Sequence, residues 1–181
     1  DGRARKFSPA PVREVLEAKL AALLAIEDPA LKTLAVEIMI AHTLRAGAEQ
    51  VAGIVGDVKA AAPLRAQSLR LLAGQHRTSP VFAATLDGAL AKDSPAALHM
   101  AALSLLLPDR ADRLATEAQT VLASRTVPEK QHALAQLAAA KHAAADAVLD
   151  RQAATLLDGT CPPALQLDVI EAVSARAPAV P

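Results

Sequence analysis

Residues 29–42 read PALKTLAVEIMIAH, an apolar helical run opened by a proline, and the chain repeats this pattern throughout its length. Further runs open at Pro63, Pro95, Pro128 and Pro163, so the five prolines are 34, 32, 33 and 35 residues apart. Proline suits the first turn of a helix, and the residue before it is pushed away from helical geometry. A period of this length is typical of solenoids built from stacked helix pairs.

A second helix is expected before each proline-led helix, which gives ten helices in five antiparallel pairs. Val51, Ile54, Val55 and Val58 form one such helical stripe, which contains Gly53. The Gly53-x-x-Gly56 pair is interpreted as a packing feature of that helix. Other helix starts are predicted at Gly47, Ser79-Pro80 and Pro108-Asp109, with Ser94 as an N-cap and Asp158-Gly159 as a helix end.

The composition favours helices and argues against nucleic-acid binding. Hydrophobic residues make up 52% of the 181 residues, yet Trp and Tyr are absent and the phenylalanines are Phe7 and Phe82. Ala and Leu, the strongest helix formers, dominate instead. Nineteen basic and nineteen acidic residues give zero formal charge, whereas nucleic-acid binders show a basic excess and aromatic stacking platforms. The lone Cys161 cannot form an internal disulfide, and no apolar run is long enough for a membrane span.

The repeat type is inferred by comparing signatures. Tetratricopeptide repeats have a similar period but use aromatic residues at fixed places, and ankyrin repeats carry a T-P-L-H turn. Both signatures are missing, whereas plain helix pairs joined by Pro or Asp-Pro turns resemble short HEAT repeats. The predicted fold is therefore all-α, a right-handed HEAT-like α-solenoid of about five antiparallel helix pairs. It is expected over residues 11–176, with an N-terminal tail at 1–10 and a C-terminal linker at 177–181.

The five histidines recur at similar places in the repeats. His42 and His76 follow their prolines by thirteen residues and His142 by fourteen, so all three are predicted at helix C-termini, where they favour the dipole. His99 and His132 each follow by four and are predicted at the surface near helix starts. The alternative is a ladder that binds metal or senses pH. Packed helices lie about 8–10 Å apart while zinc ligands lie at about 2 Å, so equivalent positions could not share one ion.

The second helix of each HEAT pair usually lines the concave surface, and its polar residues form the candidate binding groove for a peptide or protein. These residues are Arg65, Gln67, Arg70, Lys130, Gln131, Gln166 and Asp168. The alternative is that they only solvate the surface. Paired carboxylates such as Glu14 with Glu17 have basic neighbours and are interpreted as a solvated face. No catalytic, cofactor-binding or metal-binding residue is predicted, and no cofactor.

The last repeat, residues 156–176, reads LLDGTCPPALQLDVIEAVSAR. It resembles the helical spacer of large secreted bacterial proteins that join a sugar-dehydrogenase-like propeller to a c-type cytochrome domain, where a phrase like LLxGxxPxxLQLDVLEAA precedes the cytochrome. The matching residues are Leu156, Leu157, Gly159, Pro163, Leu165, Gln166, Leu167, Asp168, Val169, Glu171 and Ala172. The resemblance implies a periplasmic or otherwise extracytoplasmic spacer in a redox protein. Neither the propeller nor a haem-attachment motif lies in this chain, so no catalytic or haem residue carries over.

The sequence thus predicts a non-catalytic scaffold, spacer or protein-interaction domain, part of a larger extracytoplasmic haem-binding protein. Its partners would be proteins or neighbouring domains of the same polypeptide, and neither nucleic acid nor membrane. The alternative is a HEAT-like nucleic-acid binder or DNA-glycosylase-type enzyme, which the neutral charge and missing aromatic residues disfavour. The apolar outer face of the final repeat further predicts weak self-association.

Overall fold

The computed structural model describes residues 10–107 and 109–176, and all regular structure in these ranges is helical. Residues 1–9 of the predicted tail, Pro108 and the predicted linker lie outside the described residues. Ten α-helices occur in the described ranges, with a short 3₁₀ turn before the last. They are α1 (Ala10–Leu24), α2 (Pro29–Ala41), α3 (Ala48–Gly56), α4 (Ala62–His76), α5 (Pro80–Ala89), α6 (Ala96–Ser104), α7 (Ala111–Ser124), α8 (Val127–Ala140), α9 (Ala143–Leu157) and α10 (Gln166–Ser174).

The chain forms two compact units that divide between Ala89 and Leu90. In the first unit, α1 packs on α2, α2 on α4, α3 on α4 and α5, and α4 on α5. In the second unit, α6 packs on α8, α7 on α8 and α9, and α8 and α9 on α10. Within each unit, therefore, successive proline-led helices are neighbours, and α3 packs on α5 and α7 on α9 in the same way. The all-α prediction is confirmed, while the continuous solenoid across both units stays a prediction.

Several helix starts follow the local chemistry that the sequence displays. The Asp28 carboxylate accepts hydrogen bonds from the backbone N–H groups of Ala30 (2.8 Å) and Leu31 (3.2 Å), which caps α2 at Pro29. Thr126 and Glu129 form a capping box at the start of α8. Gly47 caps α3, and Gly159, with φ +70°, follows the end of α9 as expected.

Two predicted helix starts are wrong. Pro95, and not Ser94, takes the N-cap position of α6. The α7 helix begins at Ala111 with Arg110 as its N-cap, two residues beyond the predicted Pro108-Asp109 start. The connection before it turns inward at Leu106, which is fully buried and whose carbonyl accepts from the Arg110 N–H at 2.9 Å. Because Leu106 is buried in this connection, α7 begins later in the chain than predicted.

The apolar core of each unit is built from aliphatic side chains, joined in the first unit by Phe82. Phe82 on α5 is 1% exposed and packs among leucines of the first unit, where Leu69, Leu72 and Leu86 are fully buried. In the second unit the fully buried side chains include Leu114, Leu134 and Leu137. The interpretation of Gly53 and Gly56 as packing glycines is wrong, because both are exposed and an added Cβ would meet nothing within 4 Å.

Candidate functional site

The predicted groove residues fall on proline-led helices in both units. In the first unit, α4 carries Arg65, Gln67 and Arg70. In the second unit, α8 carries Lys130 and Gln131, and α10 carries Gln166 and Asp168. Each unit has a cleft between two successive proline-led helices, and members of the predicted set line both clefts.

The cleft of the first unit lies between α2 and α4 and has a volume of about 200 Å³. Met39, Ile40 and Leu71 give it apolar walls, and the exposed Arg70 lies at its rim. Arg65 does not reach this cleft, because its guanidinium donates to the Val55 carbonyl of α3 at 2.7 Å. An apolar recess with one cation at the edge suits an extended peptide or a helix that carries an apolar and an acidic side chain.

The cleft of the second unit lies between α8 and α10 and has a volume of about 230 Å³. Its chemistry differs, because Asp168 and Glu171 make it acidic and Ala135 and Ala138 make it shallow. The Gln131 amide donates to Asp168 at 3.0 Å and to the Ala164 carbonyl at 3.3 Å, so the structure brings these two predicted residues together. Part of the predicted set therefore joins one proline-led helix to the next proline-led helix.

Gln166 and the two half-buried residues Gln67 and Lys130 complete the set. The Gln166 amide donates to the Cys161 carbonyl at 3.3 Å, which fastens the turn before α10, where Cys161 itself is buried. Gln67 and Lys130 are half-buried on α4 and α8 and line neither cleft. The repeated position of Gln67, Gln131 and Gln166 thus corresponds to three different surroundings.

The sequence interpretation missed a series of side-chain hydrogen bonds that span about one repeat. Gln50 donates to the Ala21 carbonyl at 2.6 Å, and the ring of His76 lies 2.8 Å from the Ala46 carbonyl. The Gln75 side-chain oxygen accepts a hydrogen bond from the Ala46 N–H at 2.9 Å, and His132 Nε2 lies 3.0 Å from the Met100 carbonyl. The partners are 29 to 32 residues apart. Recurrence of polar residues at the repeat period was the signal that could have indicated these bonds.

Glu17 also makes a hydrogen bond that spans about one repeat. Its interpretation as part of a solvated face is therefore wrong. Its carboxylate accepts the backbone N–H of Arg45 at 2.8 Å and pairs with Arg13 at 3.0 Å. The bond from the Arg45 backbone, followed by that from the Arg13 side chain, lowers the pKa of Glu17. Arg13 also donates to the Thr43 carbonyl, so α1 holds the loop between α2 and α3.

A buried polar cluster lies in the second unit around α6 and α8. The prediction that His99 lies at the surface is wrong, since it is 3% exposed, and Glu129 is 2% exposed. Glu129 Oε1 lies 3.3 Å from Arg125 Nη1 and 3.9 Å from His99 Nδ1, and its Oε2 accepts the Thr126 hydroxyl at 2.6 Å. The apolar neighbours Leu98, Ala101 and Ala102 on α6 are buried with His99, so the imidazole faces inward.

Arg125 connects this cluster to the loop before α6. Its two terminal nitrogens donate to the carbonyls of Ser94 (3.0 Å) and Ala91 (2.8 Å). One guanidinium therefore neutralises a buried carboxylate and satisfies two backbone acceptors of a loop more than thirty residues earlier. Among the described residues, His99 Nδ1 and Glu129 Oε1 make no hydrogen bond.

Comparisons of this chain with protein-family models, with curated proteins and with solved structures give no match.

The placements of the other histidines are partly as predicted. His42 caps the C-terminus of α2 and His76 ends α4, which confirms both. The prediction that His142 ends a helix is wrong, because α8 ends at Ala140 and Lys141 adopts a left-handed conformation. His142 is instead the N-cap of α9, and its ring accepts the Ala144 N–H at 3.3 Å. His132, predicted at the surface, is half-buried against α6.

Across 10–107 and 109–176, no three His, Cys, Asp or Glu side chains are grouped so that they could hold a metal ion. In the same ranges, no helix is both long and apolar enough to cross a membrane.

We expect the free energy of unfolding to decrease as the pH is lowered, because His99 is buried in its neutral form. Burial, and next the Arg125 charge, lowers the pKa of His99 below its ordinary value of 6.5, while Glu129 opposes the shift. Below about pH 6.5 the unfolded chain binds a proton that the folded chain does not, so stability decreases as the pH falls from 6.5 toward the folded pKa. His99→Gln should reduce this pH dependence, measured by urea unfolding at pH 7.5 and at lower pH values.

His42→Gln is the matched control, because His42 is exposed at the end of α2. The free energy of unfolding of His42→Gln should depend on pH as it does in the native chain. An equal slope in His99→Gln and the native chain would contradict the assignment of the acid sensitivity to His99.

Proposed function

We propose that this chain is a non-catalytic scaffold or spacer, a HEAT-like right-handed α-solenoid that holds neighbouring domains or a protein partner in a fixed geometry. The observation that carries the proposal is the series of one-repeat hydrogen bonds. Gln50, Gln75, His76, Arg125 and His132 each bond to a backbone group about one repeat earlier.

These bonds support a mechanical role because they join side chains to backbone groups of the neighbouring repeat. A side chain that satisfies a carbonyl of the preceding repeat fixes the spacing and rotation of that repeat, and nearest-neighbour contacts of this kind stabilise repeat arrays. The buried ion pair of Glu129 with Arg125 serves the same purpose, since it joins α8 to the loop before α6. This part of the buried polar chemistry thus acts between repeats.

The clefts between proline-led helices are the proposed places for a protein partner. The α2/α4 cleft combines an apolar floor with Arg70, while the α8/α10 cleft presents Asp168 and Glu171. The first cleft suits a partner segment with an acidic group beside an apolar one, and the second suits a segment with a basic group. The acidic α8/α10 cleft is unsuited to nucleic acid, whose phosphates are negatively charged.

The extracytoplasmic redox setting is proposed on the resemblance of residues 156–176 alone. In the structure this segment spans the end of α9, the 3₁₀ turn at Pro163–Leu165 and α10, so it is a complete helix–turn–helix joint. A c-type haem-attachment motif encoded shortly after Pro181 in the gene would support the setting. A downstream region that encodes an unrelated cytosolic domain would contradict it.

A truncation tests the solenoid. Removal of residues 143–181 deletes the α9/α10 pair at its boundary, and we expect the shortened chain to stay folded, with unchanged helical circular dichroism per residue and a lower Tm. In a solenoid each pair contacts only its neighbours, so the pairs before α9 keep their own contacts. A matched truncation after Leu157 leaves α9 without α10 and should be less stable than the truncation after His142. Loss of helical structure in the chain cut after His142 would contradict the solenoid.

A further inference from the structure

Large apolar side chains are exposed on the last helix pair of the second unit. Leu157 on α9 is 87% exposed, and Leu167 and Ile170 on α10 are 65% and 48% exposed. Elsewhere among the described residues of this unit, Val127 is the one comparable side chain, at 41%. A cluster of exposed apolar side chains is typical of a surface that binds another protein.

Leu157 and Ile170 belong to a shallow recess between α9 and α10, with a volume of about 210 Å³. We call this recess, with Leu157 at its edge, the α9/α10 face. Its apolar lining consists of Ala153, Leu156, Leu157, Val169, Ile170 and Val173. Ser174 is the remaining lining residue, so the lining carries no charge. An apolar side chain of a partner can therefore displace water from the recess without desolvating a charged group.

The repeat register indicates which kind of element this face accepts. Ile170 and Val173 on α10 follow Ala135 and Ala138 on α8 by 35 residues, which is also the spacing of the prolines that open the two helices. Ala135 and Ala138 line the cleft in which α8 meets α10, the next proline-led helix. The outer face of α10 therefore repeats the position that receives a proline-led helix within the second unit. We expect a helix of this kind to cover it.

Charge distinguishes the α9/α10 face from the two clefts described above. The α2/α4 cleft has Arg70 at its rim, and the α8/α10 cleft presents Asp168 and Glu171. If either cleft met the same cleft of a second copy, like charges would lie opposite each other, which is destabilising. The uncharged α9/α10 face can meet its own copy without this cost. A second copy also supplies the required element, because its α10 is a proline-led helix with exposed apolar side chains.

We infer that the chain forms a symmetric dimer in which the α9/α10 faces of two copies pack on each other across a twofold axis. Leu157 at the edge of each face enters the recess of the other copy. A contact between two identical faces closes on itself, so association stops at the dimer. One small recess from each copy makes an interface at the low end of the size range, so the dimer is weak. The inference goes beyond the proposed function, and it gives a place and a symmetry to the self-association expected from the sequence.

Three single substitutions test the dimer. Leu157→Glu and Ile170→Glu place a charge in the α9/α10 face from α9 and from α10, and Val58→Glu is the control at an 82% exposed position in the first unit. Sedimentation equilibrium from micromolar to millimolar concentration should show the mass of the native chain and of Val58→Glu rising from one chain to two and no further. Leu157→Glu and Ile170→Glu should each dimerise at least about tenfold more weakly, because a twofold contact would bury the new charge twice.

Four results would overturn the inference. They are a native chain that stays monomeric at every concentration, a mass that rises past two chains, native dimerisation of Leu157→Glu, and a loss in Val58→Glu as large as in the other two variants. Circular dichroism checks that each variant is folded. Leu157→Glu changes a side chain that is 87% exposed and should leave the fold intact.

Hydrogen–deuterium exchange below and above the dimer dissociation constant locates the contact. The amide groups of α10 and of the last turns of α9 should exchange more slowly in the dimer, because their opening then also requires dissociation. Those of α2 and α4 should exchange at the same rate in both states. Slower exchange confined to α2 and α4 would place the dimer contact elsewhere and would also overturn the inference.

Discussion

Replacement of Arg125 by alanine is expected to lower the free energy of unfolding by about 3–5 kcal/mol, the usual effect of removing one partner of a buried ion pair. Glu129 is 2% exposed, so its carboxylate would stay in the interior without the guanidinium that now lies 3.3 Å away. The carbonyls of Ser94 and Ala91 would also lose their bonds to Arg125. Urea unfolding followed by circular dichroism measures the change.

Two further variants distinguish the ionic explanation from a general loss of packing. Arg113→Ala removes an arginine from an i,i+4 pair with Glu117 that lies near the surface, and it should cost at most about 1 kcal/mol. Addition of Glu129→Gln to Arg125→Ala removes the unpaired charge, and it should restore about 1–2 kcal/mol because a neutral amide is less costly to bury. A double variant no more stable than Arg125→Ala would show that the buried charge is not the cause.

Replacement of Phe82 by alanine is expected to lower the free energy of unfolding by about 3–5 kcal/mol, the range for phenylalanine truncation in cores. Phe82 is the largest fully buried side chain among the described residues of the first unit, whose other large, fully buried side chains are leucine and methionine. Truncation of the ring leaves a cavity that the surrounding close-packed core fills only in part. Thermal and urea unfolding of the variant measure the effect.

Phe82→Leu and Val58→Ala are the corresponding controls. The leucine variant fills most of the volume and should cost less than about 1.5 kcal/mol. Val58 is 82% exposed, so its truncation should change stability by less than about 0.5 kcal/mol. If Phe82→Ala were as mild as Val58→Ala, the ring would not be part of a close-packed core.

The sequence predicted those features of the fold that short-range chemistry controls. The α2 helix begins at Pro29 as predicted, where the Asp28 carboxylate accepts the N–H two residues later. Gly159 ends α9 because a left-handed residue after a helix is least costly at glycine. The polar groove set was predicted from repeat position alone. The structure places Arg70, Gln131 and Asp168 at clefts but Arg65 and Gln166 in hydrogen bonds to the backbone.

The errors occur where distant residues compete with local preference. Its position in the first turn after Pro95 predicts a surface location for His99, yet its side of α6 faces Glu129 and Arg125. Counting from Pro128 predicts a helix end at His142, but α8 stops at Ala140 and the histidine caps the next helix. Neither the burial of a face nor the last residue of a helix is encoded by spacing from a proline.

The sequence by itself determined the helical class, the repeat length and the proline-led helices, because helix propensity, capping and apolar periodicity act within one or two turns. Only the tertiary structure decided which polar side chains are exposed and which join one repeat to the next. It also decided that the chain divides into two compact units at Ala89 and Leu90. The physical reason is that burial and hydrogen bonding across about thirty residues depend on which helix faces meet, and that choice is made by packing of the whole unit.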